Sequence, residues 1–298
     1  MQLHVRRLPP DATVTVDAPA RLHLGFLDPN ASLGRAFGSV GLVIDGGGTR
    51  VEARLAERDR IDGAVSDAER ERIAVCLERL HAAYDPTPVA IDVTQTPRAH
   101  TGLGSGTQLA LAVGAAFVRL LGHVAPSAEL AALLGRGARS GIGVLGFDSG
   151  GLLVDGGPSG DLHPGVPPLL ARQPFPDDWR VLLVSDNSRE GLHGADERRG
   201  LAALAPFPQK LAAHLCHLVL MKILPGAAER NIVPFAHGLT EMQQTIGEYF
   251  APVQGGVFAS PGVERGGGAR GGPPPPRVLA PEWGGGGGLG VGRAPPPP

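Results

Sequence analysis

Aromatic residues are scarce in this 298-residue chain, at 4%, and there are two cysteines, Cys76 and Cys216. Their separation has no metal-site spacing, and a reduced, cytoplasmic setting is the simplest reading. Charge of one sign is also lacking: the formal net charge is −2. Nothing therefore suggests a nucleic acid or an acidic membrane held by bulk charge. No window of 18 uninterrupted apolar residues occurs, so no membrane span is predicted. The opening segment MQLHVRRLPPDATV has no apolar core of the kind a secretory signal carries. What is present is 42% hydrophobic residues, enough for one large domain or two modest ones.

The last 35 residues, from Glu264 to Pro298, hold 12 Gly and 9 Pro, including GGPPPP, GGGGG and a terminal PPPP. Such a segment buries too little apolar surface to offset its ordering entropy, so disorder is predicted across 264–298. Gly, Pro, Arg and Ala share GC-rich codons, and a gene end read out of frame would give this texture; the alternative is an ordinary linker tail.

Upstream the pattern is more regular. ATVTVDAPARLHLGFL (12–27) alternates as a strand and meets a Pro-Ala break. GSVGLVIDGGGTRVEARLA reads as two strands joined by the glycines at 46–48. Residues 66–84 read as a helix with Ser66 and Glu69 at capping-box spacing and Ile73, Leu77, Leu80 and Tyr84 on one face. VAIDVTQT is a half-buried strand with Val89, Ile91 and Val93 inward. Helices are predicted from about 107 to 122 and over PSAELAALLGRGARSG, with Ser127 at its N-cap. GGLLVDGG is a short strand, and the Pro-, Gly- and Asp-rich stretch 158–178 reads as a domain boundary. WRVLLVSD then opens the second half as a buried strand. Helices follow at 208–224 and 239–250, with Leu211, Leu215 and Leu218 on one face. Strands and helices mix without a strict βαβ repeat, so the class is α+β.

The stretch PRAHTGLGSGTQLAL (97–111) lies between the strand ending near Thr96 and the helix after it. Gly102, Gly104 and Gly106 permit backbone angles closed to other residues. Their N–H groups, with the positive end of the following helix, make an anion site suited to phosphate. Ser105 and Thr107 add hydroxyls, as donors or as ligands to a metal already on the phosphate. Neither the Lys of a Walker A loop nor the GxGxxG fingerprint is present. The plainer alternative is a glycine turn that packs a helix against a sheet.

This loop resembles the second signature motif of the GHMP kinase superfamily, and APARLHLGFLD (18–28) resembles the first. The usual Gly-Leu-Gly-Ser-Ser reads here as Gly102-Leu103-Gly104-Ser105-Gly106, followed by Thr107 and Gln108. With GRGARSGIGVLGFDSGGLLVDGG (135–157) and YFAPVQGG (249–256), that variant is similar to one branch, the β-ribofuranosylaminobenzene 5′-phosphate synthase family, over roughly residues 12–263. The resemblance implies a ribosomal-S5-like first half (1–160) and a ferredoxin-like second half (175–263), truncated where a third motif should come. It implies that phosphoribosyl pyrophosphate joins 4-aminobenzoate or 4-hydroxybenzoate through a C–C bond, with release of CO2 and pyrophosphate, and Mg²⁺ as cofactor. It also implies a place in tetrahydromethanopterin biosynthesis and a possible homodimer.

Many GHMP kinases read Ser-Gly-Ile-Asp where this chain reads Ser140-Gly141-Ile142-Gly143. That Asp is the base taking the hydroxyl proton, an aid typically worth about 10²–10⁴-fold. A transferase that expels pyrophosphate needs charge stabilisation and a metal on the leaving group instead. Gly143 thus favours the transferase over an ATP-dependent kinase; a third reading is an inactive phosphometabolite-binding protein.

The remaining candidates are polar residues near glycines. Arg21 and His23 follow Pro19 and suit a phosphate or carboxylate. His100 precedes the loop. Arg139 and Ser140, with Arg136 nearby, suit a ligand contact, and Asp155 is assigned a catalytic role beside Arg139. Asp148, and Asp45 more so, read equally as turn residues. His193 and Asp196 are expected to face the cleft. His214 and His217 lack the partners of a metal site. Phosphate binding is assigned to residues 102–107, metal binding to Ser105.

Overall fold

A computed structural model describes residues 8–97, 102–159, 165–185, 199–200, 203–257, 280–281 and 287–293. The first half is built on two long antiparallel strands, β1 (Thr13–Asp28) and β2 (Phe37–Leu55). β3 (Arg60–Gly63), β4 (Val89–Gln95), β5 (Leu152–Asp155) and β6 (Leu169–Gln173) complete a six-stranded sheet in the order β3-β4-β2-β5-β6, with β1 paired to β2. Helices α1 (Asp67–Ala83), α2 (Ser105–Leu120), α3 (Ser127–Leu133) and α4 (Ile142–Ser149) accompany it.

Two expected interruptions do not occur. Pro19 does not end β1; it sits in a register shift between Ala18 and Ala20. A bulge leaves one residue outside the ladder, so the missing N–H of proline costs no pairing. The glycines at 46–48 do not turn the chain back; Gly46 and Gly47 take positive φ inside a continuous β2. Both irregularities lie where the strand pair changes partners. Val14, Ala18, Val51 and Ala53 pack in one core with α1–α3, whereas Ala20, Leu22, Leu24, Leu42 and Ile44 pack in another with helices of the second half.

The capping box is formed: Glu69 N–H donates to Ser66 Oγ, and Ser66 N–H donates to the Glu69 carboxylate at 2.9 Å. Ser66→Ala is expected to cost about 1 kcal/mol and lower the melting temperature by roughly 2–4 °C, read by circular dichroism. Val89, Ile91 and Val93 are fully buried as the alternation required. Ser127 is the first residue of α3 rather than its cap; its hydroxyl donates to the Val144 carbonyl and the Asp148 carboxylate. α4 has no amphipathic period to announce it, being apolar and glycine-rich. The stretch read as a boundary contains β6, which pairs with β5 in the first sheet.

The second half has β7 (Trp179–Ser185), α5 (Gln209–Leu218), a π-helical turn at Val219–Ile223, α6 (Leu224–Ala228) and α7 (Ile232–Gln254). Ala212, Leu215 and Leu218 face the core, while Leu211 is exposed, so the apolar face is one position round from the one expected. The run Gln209–Ala228 is long and apolar enough to cross a bilayer by length and composition, yet Leu215, Leu218, Val219 and Ile223 pack against β1 and β2 residues. The tail also departs from expectation. β8 (Ala280–Pro281) and β9 (Gly287–Arg293) form a sheet with β7, in the order β7-β9-β8. Backbone pairing with β7, residue for residue from Trp179–Arg293 to Ser185–Gly287, supplies order that glycine-rich side chains do not.

Candidate active site

The site is assembled from the phosphate-type loop upward. Gly102 and Gly104 adopt φ of 79° and 74°, the left-handed region, and Gly104 is the N-cap of α2. Thr107 and Gln108 donate backbone N–H bonds to the Gly104 carbonyl, which leaves the first amides of α2 facing outward as every helix start does. Among the described residues, a Cβ on Gly106 would meet nothing within 4 Å. Among the described residues the helix start is open beside Gly106, and its dipole end and free N–H groups are of the kind that suits an anion. The partly buried Leu103 side chain packs against the core, and its carbonyl accepts from Arg21 N–H at 3.1 Å. His100 lies outside the described residues, as do His193 and Asp196.

Arg21 holds the loop from below. One guanidinium nitrogen donates to the Gly102 carbonyl at 3.1 Å, and a Cβ on Gly104 would stand 2.7 Å from its Nε. His23 is the next residue but one on β1. Burial first, then the charges of Arg21 and Arg139, push its imidazole down to about 3, so it is neutral at physiological pH. Its Nε2 is buried with no hydrogen-bond partner among the described residues. The charges of Arg21 and Arg139 thus both reach His23. The charge of Arg136 bears on Cys76 of α1.

Asp155 is fully buried at the end of β5 and acts on the backbone. Its carboxylate accepts from Gly141 N–H and Gly157 N–H, both at 2.8 Å, and from the Ser140 hydroxyl at 3.3 Å. Burial pushes its carboxyl above the usual range, while the Gly157 and Gly141 amides and the Ser140 and Ser39 hydroxyls oppose that shift. Asp155 is thus placed as a positioning residue, fixing the turn that carries Arg139 and Ser140 into α4.

The position of a kinase base carries no carboxylate and is tightly packed. A Cβ on Gly143 would lie 3.1 Å from Thr107 Cγ2 and 3.7 Å from Gln108 Nε2, and Gln108 donates to the Gly143 carbonyl at 2.8 Å. A side chain at 143 would therefore need Thr107 to give by a few tenths of an ångström.

Other candidates take ordinary structural roles. Asp148 accepts from Ser127, and Gln254 donates to the Gly256 and Val257 carbonyls beyond the end of α7. His214 shares the Glu241 carboxylate with Lys222, at 2.8 and 3.0 Å. Among the described residues no group of three or more His, Cys, Asp or Glu could hold a metal ion.

The family model for the GHMP kinase N-terminal domain matches residues 71–151, which span α1 to the start of β5 and include the loop. The chain is 36% identical over 236 residues to β-ribofuranosylphenol 5′-phosphate synthase of Archaeoglobus fulgidus, covering 76% of this chain and 74% of that protein. The chain belongs to the β-ribofuranosylphenol 5′-phosphate synthase family. The synthase of the same name from Methanocaldococcus jannaschii is 30% identical over 252 residues, covering 76% of each chain. These synthases are pentosyltransferases. Their fold is shared with more distant solved structures. Streptococcus pneumoniae phosphomevalonate kinase superposes with a TM-score of 0.69 at 11% identity, over 95% of this chain and 92% of that one. Mevalonate pyrophosphate decarboxylase of Streptococcus pyogenes gives 0.65 at 12% identity, over 97% and 91%.

One residue of this synthase site escaped the sequence reading. Phe37, at the start of β2, has a φ of 64° and lies beneath the Arg139 guanidinium, 5.9 Å from the ring centroid. A single Phe before Gly38 carries no motif that would single it out.

Proposed function

We propose that this chain transfers the phosphoribosyl group of phosphoribosyl pyrophosphate to 4-hydroxybenzoate with loss of CO2, in tetrahydromethanopterin biosynthesis. The observation that carries the reading is the α2 start braced by Arg21, beside a position 143 that holds glycine and no base. The names of the archaeal relatives favour the hydroxy acceptor, since their product is a phenol. The diphosphate would lie over the amides of Ser105 and Gly106, and Ser105 and Thr107 would donate hydroxyl bonds. Departure of diphosphate takes the electron pair of the ribose C1–O bond. The ring carbon bearing the carboxylate then bonds to C1, and the C–CO2 bond breaks, its pair restoring the aromatic ring. No proton need be abstracted at position 143.

A hard cation fits here as one carried in by the diphosphate, because the loop offers the Ser105 hydroxyl and, among the described residues, no carboxylate cage. Mg²⁺ would neutralise the leaving diphosphate. Arg21, His23, Arg139 and Ser140 are assigned to substrate, with Asp155 behind them as positioning residue.

The test is release of labelled CO2 from carboxyl-labelled 4-hydroxybenzoate with phosphoribosyl pyrophosphate and Mg²⁺, on this chain and on one with its gene end re-framed after Val263. Release by either supports the reaction; release only by the second assigns the defect to residues 264–298. ATP turnover to ADP without CO2 release would replace the transferase with a kinase. Gly143→Asp bears on the same choice. It is expected to lower the melting temperature by several degrees and to yield no ADP, because a buried carboxylate would press on Thr107; gain of ADP formation would count for the kinase.

A further inference from the structure

Phe37 is the only bulky side chain among the described residues held at positive φ besides Arg230. A left-handed phenylalanine is strained by about 1–3 kcal/mol and persists only where its surroundings enforce it. The surroundings are tight. A Cβ on Gly157 would lie 1.9 Å from the Ala36 carbonyl oxygen and 2.6 Å from Gly38 N, so glycine alone lets that loop press on residues 36–38. Arg35 donates to the Gly156 carbonyl at 3.0 Å, and Asp155 fixes Gly157. The same Asp155 fixes Gly141, next to the Arg139–Ser140 turn. One buried carboxylate therefore sets both Phe37 and Arg139.

The conformation brings a half-buried ring into a polar patch. Phe37 stands 5.1 Å from the Phe26 ring, and Phe26 stands 4.4 Å from His23. Arg139 lies over Phe37, and the charges of Arg21 and Arg139 both reach His23. Aromatic faces, guanidinium charge and a buried imidazole nitrogen without a partner sit together in a chain otherwise poor in aromatics. An aromatic acid offers a ring, a carboxylate and a polar substituent in one small molecule, and each has a counterpart here.

Resting on the transferase reading above, the geometry points to Phe37 as the residue that selects an aromatic acceptor: its ring, with Phe26 behind it, takes the acceptor ring, Arg139 takes the carboxylate and His23 Nε2 takes the para hydroxyl. The strained backbone at Phe37 is what aims the ring into the patch.

Calorimetric titration of the full chain tests this, with 4-hydroxybenzoate in the presence of ribose 5-phosphate and diphosphate, which do not react, and separately with phosphoribosyl pyrophosphate and Mg²⁺. Phe37→Gly accepts the backbone conformation, so its melting temperature should be unchanged or higher. Its Kd for 4-hydroxybenzoate should rise tenfold or more, its Kd for phosphoribosyl pyrophosphate should stay within twofold, and Phe37→Tyr should restore the first. Equal acceptor binding by Phe37→Gly overturns the assignment, as does equal binding of cyclohexanecarboxylate by the unaltered chain or its failure to bind 4-hydroxybenzoate. Failure of the unaltered chain to bind phosphoribosyl pyrophosphate, with acceptor binding intact, overturns the transferase reading and supports the acceptor site.

Discussion

Gly104→Ala is expected to lose turnover by 10² or more and to lower stability at the same time. At φ 74° an added Cβ is strained wherever it points, a cost of about 1–3 kcal/mol. Here it also points at Arg21: 2.7 Å from Nε, 2.9 Å from Cγ and 3.2 Å from Cδ. Arg21 cannot swing aside without giving up the Gly102 carbonyl, so the loop and its brace move together. The amides aimed at the diphosphate then lose their common direction, and donors of that kind are worth about 10²–10³ in rate. Gly106→Ala separates binding from folding. Gly106 lies inside α2 at ordinary φ with open space beyond it. Alanine there should stabilise the helix by roughly 0.5–1 kcal/mol and still raise KM for phosphoribosyl pyrophosphate, because the methyl enters the space meant for diphosphate. Thermal melts and KM for each substrate, measured on both variants, check the pair. A Gly106→Ala chain with unchanged KM would show that the diphosphate lies elsewhere.

Acidification should destabilise the protein through His23, and His23→Gln should remove that part of the loss. The folded imidazole titrates at about 3 against 6.5 for the free side chain. Between those values the unfolded chain binds a proton that the folded chain refuses. The His23 contribution is therefore complete above pH 6.5 and is lost as pH falls towards 3, at up to about 1.4 kcal/mol per pH unit. Urea unfolding at pH 7.5 and 5.5 reads it. The unaltered chain should lose about 1 kcal/mol more than His23→Gln over that interval. Carboxylates shared by both proteins cancel in the comparison. Equal losses would mean that the imidazole is protonated in the fold.

Local signals carried much of this. Ser66 and Glu69 announced the start of α1 because a capping box is a contact between residues three apart. The alternation of Val89, Ile91 and Val93 announced β4 because a half-buried strand must alternate. The loop from Gly102 to Thr107 was legible as an anion site because strand, glycines and helix are contiguous, and Gly143 was legible as a missing base by its place in a motif. The misread breaks in β1 and β2 share one cause, the tertiary override of a local break. Pro19 and the glycines at 46–48 would end strands in isolation, but each strand is held by a long partner that tolerates a bulge. Residues 287–293 have no side-chain reason to be ordered, yet β7 offers them a ladder.

By itself, then, the sequence determined the α+β class, the phosphate-type loop and the family, since these rest on residues adjacent in the chain. Only the tertiary structure decided which residues share the site with that loop. Arg21 under Gly104, Thr107 against Gly143, Asp155 on Gly141 beside the Arg139 turn, and Gly157 against Ala36 beside the strained Phe37 are contacts across at least a dozen residues of sequence, set by β1, β2 and β5 lying side by side. Side-chain reach across a sheet follows register, and register is a property of paired strands that no single segment contains.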